Sequence, residues 1–126
     1  MGYRIYFGFL VLLLFFSCGK SKTEEYILSI GEPLQIDKNI TIEVDSLNDS
    51  RCPVGATCFW AGDVTVYLHL QDGQQQMDTR LRLNNPGRPL QWANAIWMLT
   101  RVTPHPQLDE AISPSDYRVY LRCEPL

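Results

Sequence analysis

Beyond residue 25, apolar and polar side chains alternate along the chain with a period of two residues. The alternation is clearest in four segments, which cover residues 40–45, 64–70, 77–83 and 117–123. A period of two places successive side chains on opposite faces of a β-strand, whereas a helix repeats about every 3.6 residues. Turn signals rich in glycine, proline, aspartate and asparagine separate the segments. We therefore predict an all-β fold: an antiparallel β-sandwich of Ig-like or Greek-key type, or a small barrel, with about seven short strands.

One hairpin can be placed from the sequence. Asp72-Gly73 is a strong signal for a two-residue hairpin turn. Folding the chain at that turn puts Leu68 opposite Met77 and brings the apolar faces of the two flanking strands to the same side. We predict that these strands pair in this register.

The first eighteen residues predict export. Arg4 supplies one positive charge, and an apolar run of twelve residues, 5–16, follows it. The run is shorter than the roughly 20 residues that a membrane-spanning helix needs, but it suits the apolar region of a secretory signal. Ser17-Cys18, directly after the run, resembles the lipobox of bacterial lipoproteins, although Phe15 stands where that family usually has leucine. A plain cleaved signal or an uncleaved anchor is the alternative.

The lipobox resemblance implies cleavage before Cys18, a diacylglyceryl group on its sulfur and acylation of the new amino terminus. Several acyl chains, at about 0.8 kcal/mol per buried methylene, anchor a protein stably. We expect residues 1–17 to be a signal peptide, 18–25 a lipidated N-terminus and polar tether, and 26–126 a single β domain. We also expect the outer membrane of a Gram-negative envelope, because Gly19 lacks the aspartate of an inner-membrane retention signal.

The charge balance argues against one class of partner. Lysine and arginine number 11 against 14 aspartates and glutamates, which gives a formal net charge of −3. Nucleic-acid-binding domains need a basic footprint. We therefore expect no nucleic-acid partner.

One stretch, DSRCPVGATCFWAG at residues 49–62, reads as neither an ordinary strand nor an ordinary turn. Its Cys52 and Cys58 enclose a short loop, and an oxidising compartment permits a disulfide between them. Structural zinc sites use cysteine pairs about two to four residues apart, and thioredoxin-like pairs have about two residues between the cysteines. We therefore favour a disulfide over metal or redox chemistry. Cys123 continues a strand's apolar alternation, so we expect a buried thiol there.

This stretch matches the pattern D-S-R-C-P-x-G-x-x-C-x-W-x-G at every fixed position. The pattern resembles that of a family of small secreted bacterial lipoproteins of unassigned function. The resemblance implies an exported all-β domain and offers no reaction, since none is assigned to the family.

Two interpretations of the stretch are open. In the first, its residues are structural: Arg51 pairs with a carboxylate or with carbonyls, and Trp60 covers the end of the core. In the second, a rigid loop displays Arg51, Phe59 and Trp60 as a contact patch, because aromatic and arginine side chains dominate interface hot spots.

No nucleophile with a neighbouring base stands out, and the chain has two histidines, His69 and His105. We therefore expect a non-enzymatic protein without a metal or another cofactor. Our leading hypothesis is a membrane-anchored binding module whose partner is another envelope or extracellular protein. The alternative is an inhibitor of an exported hydrolase such as lysozyme, acting through the disulfide-closed loop, by analogy with small β lipoproteins that block lysozyme.

Overall fold

The computed structural model describes residues 22–126. The predicted signal peptide, the predicted lipid site at Cys18 and the start of the predicted tether lie outside the described residues. The described chain is almost entirely β-structure, with a short 3₁₀ turn at Pro114–Asp116. Its strands are β1 (Glu24–Leu28), β2 (Leu34–Asp37), β3 (Ile40–Asp49), β4 (Val64–Asp72), β5 (Gln75–Arg82), β6 (Leu90–Trp92), β7 (Ala95–Thr103) and β8 (Arg118–Pro125).

Within residues 22–126, no helix is long and apolar enough to span a membrane. Strand β1 begins at Glu24, so the folded domain starts two residues before the predicted boundary. The last two residues of the predicted tether belong to the sheet instead.

The strands form two antiparallel four-stranded sheets that pack face to face. The first sheet has the order β1-β8-β7-β6, and the second has the order β2-β3-β4-β5. The predicted β-sandwich is confirmed, and neither sheet closes into a barrel. Neighbours within a sheet are consecutive along the chain except for β1 and β8. The second sheet and the β6-β7-β8 part of the first sheet are therefore meanders, and neither sheet has the strand order of an immunoglobulin sheet.

The core lies between the two sheets, and the alternation in the sequence supplies its side chains. In β4 every second residue from Val64 to Leu70 is buried, while the residues between them face outward. The first sheet contributes Trp97, Val119 and Leu121 to the same cluster. Full burial of one aliphatic side chain is worth about 1.5–3 kcal/mol. This cluster is therefore the main source of stability for the domain.

The β4–β5 hairpin forms, but the predicted register is wrong by two residues. Leu70, not Leu68, lies opposite Met77, and the turn is Gly73-Gln74. Gly73 has a φ of +60°, the positive value that a type II′ turn requires at its first central position. A slip of two residues keeps every side chain on its original face. The predicted faces are consequently right although the predicted pairs are not.

The strand register determines which loops lie at each end of the sandwich. Glu24, at the start of β1, lies opposite Cys123 near the end of β8. At the other end, Thr103 of β7 lies opposite Arg118 of β8. The loop between β3 and β4 contacts this second end through a hydrogen bond to the Val102 carbonyl. The start of the domain and the disulfide-closed loop are thus at opposite ends of the sandwich. We call the end of the sandwich that carries this loop the distal end.

Candidate functional site

The stretch 50–63 extends the β3–β4 hairpin past the ends of its strands. The Ser50 N–H donates to the Asp63 carbonyl at 2.8 Å, and the Cys52 N–H donates to the Ala61 carbonyl at 3.1 Å. The Ser50 hydroxyl donates to the Asp63 carbonyl as well, at 2.8 Å. These hydrogen bonds fix the base of the loop, so only the segment between Cys52 and Ala61 projects beyond it.

The predicted disulfide is present. Cys52 and Cys58 are bonded, and their Cα atoms are 6.0 Å apart. Inside the closed ring, the Ala56 N–H donates to the Pro53 carbonyl at 3.1 Å, which forms a tight turn. A disulfide over so short a loop contributes roughly 2 kcal/mol in the chain-entropy description. The bridge therefore restricts the projecting segment to a narrow range of shapes.

Cys123 is the free cysteine of the described part of the chain. It is half-buried near the start of the domain, far from the disulfide-closed loop. Burial and then the negative charge of Glu24 raise the pKa of the Cys123 thiol. This environment disfavours the thiolate that nucleophilic chemistry requires.

A second loop, between β7 and β8, supports the disulfide-closed loop from the side. The Val54 N–H donates to the Pro106 carbonyl at 2.9 Å, and the Leu108 N–H donates to the Val54 carbonyl at 3.0 Å. The Nε2 atom of His105 lies 2.9 Å from the Cys52 carbonyl oxygen. A carbonyl oxygen only accepts hydrogen bonds, so this contact requires the proton on Nε2. The two loops are therefore joined by two backbone hydrogen bonds and by one from the exposed His105 side chain.

Arg51 lies at the centre of the distal end and is only 8% exposed. Its Nε donates to Asp49 Oδ1 at 2.8 Å and its Nη2 to Asp49 Oδ2 at 2.7 Å. The guanidinium also donates to the carbonyls of Val102, at 2.7 Å, and Pro104, at 3.0 Å. The Tyr117 hydroxyl donates to Asp49 Oδ2 at 3.1 Å. One side chain thus joins the end of β3, the end of β7 and the loop that follows β7.

The prediction that Arg51 forms part of a contact patch is therefore wrong. A buried charge is tolerated only when it is paired and hydrogen-bonded, and the planar fork of arginine satisfies both requirements here. The structural interpretation holds for Arg51. The sequence could not identify which carbonyls accept from Arg51. Every residue has a backbone carbonyl, so no residue type distinguishes Val102 and Pro104 as the acceptors.

The ionisation of Asp49 is set by the same contacts. Burial by itself raises the pKa of Asp49, but hydrogen bonds from the Arg51 side chain and backbone, the Arg51 charge and the Tyr117 hydroxyl outweigh it. The pKa of Asp49 is therefore lowered. Burial and the hydrogen bond to Asp49 raise the pKa of Tyr117. At neutral pH the site accordingly combines an ionised aspartate with a neutral tyrosine.

Gly62 lets the two legs of the loop come together. Its φ is +68°, and a Cβ atom at this position would lie 1.9 Å from the Ser50 carbonyl oxygen. No side chain fits at that distance. The adjacent carbonyl of Gly62 accepts a hydrogen bond from Asn84 Nδ2 at 3.1 Å. The glycine of the sequence pattern therefore has a steric cause in this fold.

The projecting segment carries two aromatic side chains into solvent. Phe59 is 100% exposed and Trp60 is 76% exposed, and their ring centroids are 6.4 Å apart. We call this pair the aromatic tip. Exposed single apolar residues are ordinary, but adjacent large aromatic side chains in full contact with water mark a candidate interaction site. Both residues have the exposure that the predicted contact patch requires, whereas Arg51 does not.

No protein-family model, no curated protein and no solved structure gives a significant match to this chain. The resemblance of residues 49–62 to a lipoprotein family consequently stays a prediction. A functional proposal for the protein has to be argued from its geometry.

We expect Asp49→Asn to lower the free energy of unfolding by about 3 kcal/mol at neutral pH, because it leaves the buried Arg51 charge without its counter-ion. The folded pKa of Asp49 is depressed, so its contribution is complete above the unfolded pKa of about 3.9. The contribution is lost as the pH falls through the folded pKa. Urea unfolding at a series of pH values measures this loss.

The control for this experiment is Asp72→Asn, at an exposed position. We expect that control to match the wild type throughout. A stability difference between wild type and Asp49→Asn that stays constant into strong acid would contradict the ion-pair explanation.

We expect Gly62→Ala to destabilise the protein more than Gly73→Ala does. Both glycines have positive φ, but nothing lies within 4 Å of a Cβ at Gly73. Alanine at Gly73 therefore incurs only the backbone penalty of about 1–2 kcal/mol, whereas alanine at Gly62 also displaces the backbone of Ser50. Thermal unfolding of the two variants makes the comparison, and equal losses would show that the close approach to Ser50 is not required.

Proposed function

We propose that the protein is a lipid-anchored, non-enzymatic binding module of the bacterial envelope, and that its aromatic tip binds another protein. The observation that carries this proposal is the full exposure of Phe59 next to Trp60. Exposed to water in this way, the two rings add little to the stability of the domain. Their exposure is explained if the rings become buried in a complex.

The rigidity of the loop supports this proposal. Binding normally loses free energy through the ordering of flexible loops and side chains. Here the disulfide, the Arg51 hydrogen bonds and the hydrogen bonds to the β7–β8 loop order the backbone beforehand. Tryptophan and other aromatic side chains on such a support are typical of the residues that dominate binding energy.

The direction of the tip favours a protein partner over the membrane. Only five residues, 19–23, separate the predicted lipid site at Cys18 from β1, and an extended segment from Cys18 to Glu24 spans at most about 20 Å. The anchor would therefore hold the start of β1 near the bilayer. The aromatic tip lies at the distal end, beyond the length of β8, which is about 25 Å for its eight residues. The tip would consequently point away from the lipid surface.

An inhibitor of an exported hydrolase such as lysozyme is a special case of the same proposal. Such an inhibitor would insert the aromatic tip into the cleft of the enzyme. The tip variants that test binding therefore test inhibition too.

We expect the lipid anchor to depend on Cys18. The native protein should incorporate labelled palmitate and sediment with membranes, and Cys18→Ser should abolish both properties. Cys123→Ser, which changes the free cysteine of the described part of the chain, should keep both. A Cys18→Ser protein that fractionates with membranes like the wild type would rule out the proposed anchor.

We expect a photo-activatable amino acid at Phe59 to form a discrete adduct with one envelope or extracellular protein in living cells. The same probe at Tyr67, an exposed aromatic position on the face of the second sheet, is the matched control and should form none. Trp60→Ala should weaken the adduct without altering thermal stability, because the side chain makes little contact with the core. The adducts are measured by mass spectrometry after immunoprecipitation.

Two results would contradict the proposed contact. The first is the absence of any adduct from Phe59, and the second is equal labelling from Phe59 and Tyr67. An adduct with a hydrolase, together with loss of inhibition in Trp60→Ala, would identify the inhibitor form of the proposal.

A further inference from the structure

A second cluster of chemically capable side chains lies on the outer face of the second sheet, away from the disulfide-closed loop. Asp45 of β3, His69 of β4 and Asp78 of β5 each offer one ligand atom, and these atoms all lie within 4.8 Å of one another. The Nδ1 atom of His69 is 2.6 Å from Asp78 Oδ1. Three adjacent strands thus bring one imidazole and two carboxylates together.

Asp45 lies at a β-bulge next to this cluster. Val44 lies opposite Leu68, and Ser46 lies opposite Tyr67, so two consecutive residues of β4 face three residues of β3. Asp45 is the extra residue and has no partner across the strand pair. A bulge changes the direction of a side chain relative to a regular strand. The alternation alone places all three side chains on the outer face, but the predicted β4–β5 register was two residues off and did not set His69 opposite Asp78. The cluster was therefore not visible before the strand pairing was known.

The charges around the histidine favour a cation. His69 lies opposite Asp78 in one strand pair and opposite Glu43 in the other. The carboxylates of Asp78 and Asp45 lie within ligand distance of the imidazole, and the Glu43 side chain lies on the same face of the sheet across the strand pair. Three carboxylates therefore surround a single imidazole.

We propose that Asp45, His69 and Asp78 bind a divalent transition-metal ion of the Zn²⁺ type. Imidazole and carboxylate ligands together suit zinc and its neighbours, whereas Mg²⁺ and Ca²⁺ prefer oxygen ligands alone. On binding, the neutral imidazole of His69 offers the Nδ1 lone pair to the ion and carries its one ring proton on Nε2, so bonds to the metal replace the hydrogen bond between Nδ1 and Asp78. The expectation from the sequence that the protein has no metal did not consider this cluster.

The geometry needs only a small adjustment of side chains. Bonds to zinc of about 2.0–2.2 Å place tetrahedral ligand atoms roughly 3.5 Å apart. This value lies between the 2.6 Å that separates His69 Nδ1 from Asp78 Oδ1 and the 4.8 Å limit on all separations in the cluster. Asp45 and Asp78 are exposed, so their carboxylates can rotate without repacking the core. Three protein ligands leave a fourth position open to water or to a side chain of another molecule.

Titration calorimetry with ZnCl₂ on the full-length protein, in detergent and after removal of metals by a chelator, tests this proposal. We expect one Zn²⁺ per chain for the wild type. His69→Ala and Asp45→Asn should each weaken binding by more than about tenfold, because each removes a ligand. Asp72→Asn, which removes an exposed carboxylate at the end of β4 outside the cluster, should bind zinc like the wild type.

Thermal unfolding separates loss of the site from loss of the fold. Zn²⁺ should raise the unfolding temperature of the wild type but not of His69→Ala, while the two proteins should unfold at similar temperatures without metal. Undiminished zinc binding in either His69→Ala or Asp45→Asn would overturn the proposal, and so would a wild-type protein that takes up no zinc.

Discussion

The ion pair between Arg51 and Asp49 is the interaction on which the distal end depends. Both side chains of the pair are buried, and the guanidinium also donates hydrogen bonds to the carbonyls of Val102 and Pro104. Loops at the end of a sandwich usually order themselves by burying apolar side chains. Here the buried Arg51 side chain orders the loop instead, because it donates hydrogen bonds to backbone carbonyls that would otherwise need water as a partner. The aromatic side chains of the same loop are therefore not needed to hold it in place and can face the solvent.

The sequence allowed the fold to be predicted wherever burial alone decides the structure. The alternation from Val64 to Leu70 specifies one inward face, and a sandwich is the simplest way to cover such faces. The alternation could not specify which residues of β4 and β5 pair. Burial repeats every two residues, so a slip of two residues between the strands leaves the set of buried side chains unchanged. The hairpin between β6 and β7 also escaped prediction. Its turn residues, Ala93 and Asn94, both adopt positive φ, although no glycine marks the turn.

The site was predictable only in part, for a different reason. The spacing of Cys52 and Cys58 identified the disulfide because a short covalent bridge is a local property of the chain. The burial of Arg51 is not local, because its carbonyl acceptors lie more than fifty residues further along the chain. The cluster of Asp45, His69 and Asp78 depends on how β4 pairs with β3 and with β5, and strand pairing is not a local property of the sequence. Local chemistry was therefore visible in the sequence, whereas chemistry created by strand pairing was not.

The separation of β1's start from the distal end gives the proposed lipoprotein a definite working distance. A tether of at most about 20 Å is followed by a sandwich about 25 Å long, and the loop that carries the tip projects beyond it. The tip can therefore contact only surfaces within a shell of limited height above the membrane. Within that shell the orientation of the body can vary, but its length cannot, because it is set by the strands of the sandwich. A lipid-anchored protein built in this way selects its targets partly by height, because surfaces beyond the combined length of the tether, the sandwich and the projecting loop lie outside its reach.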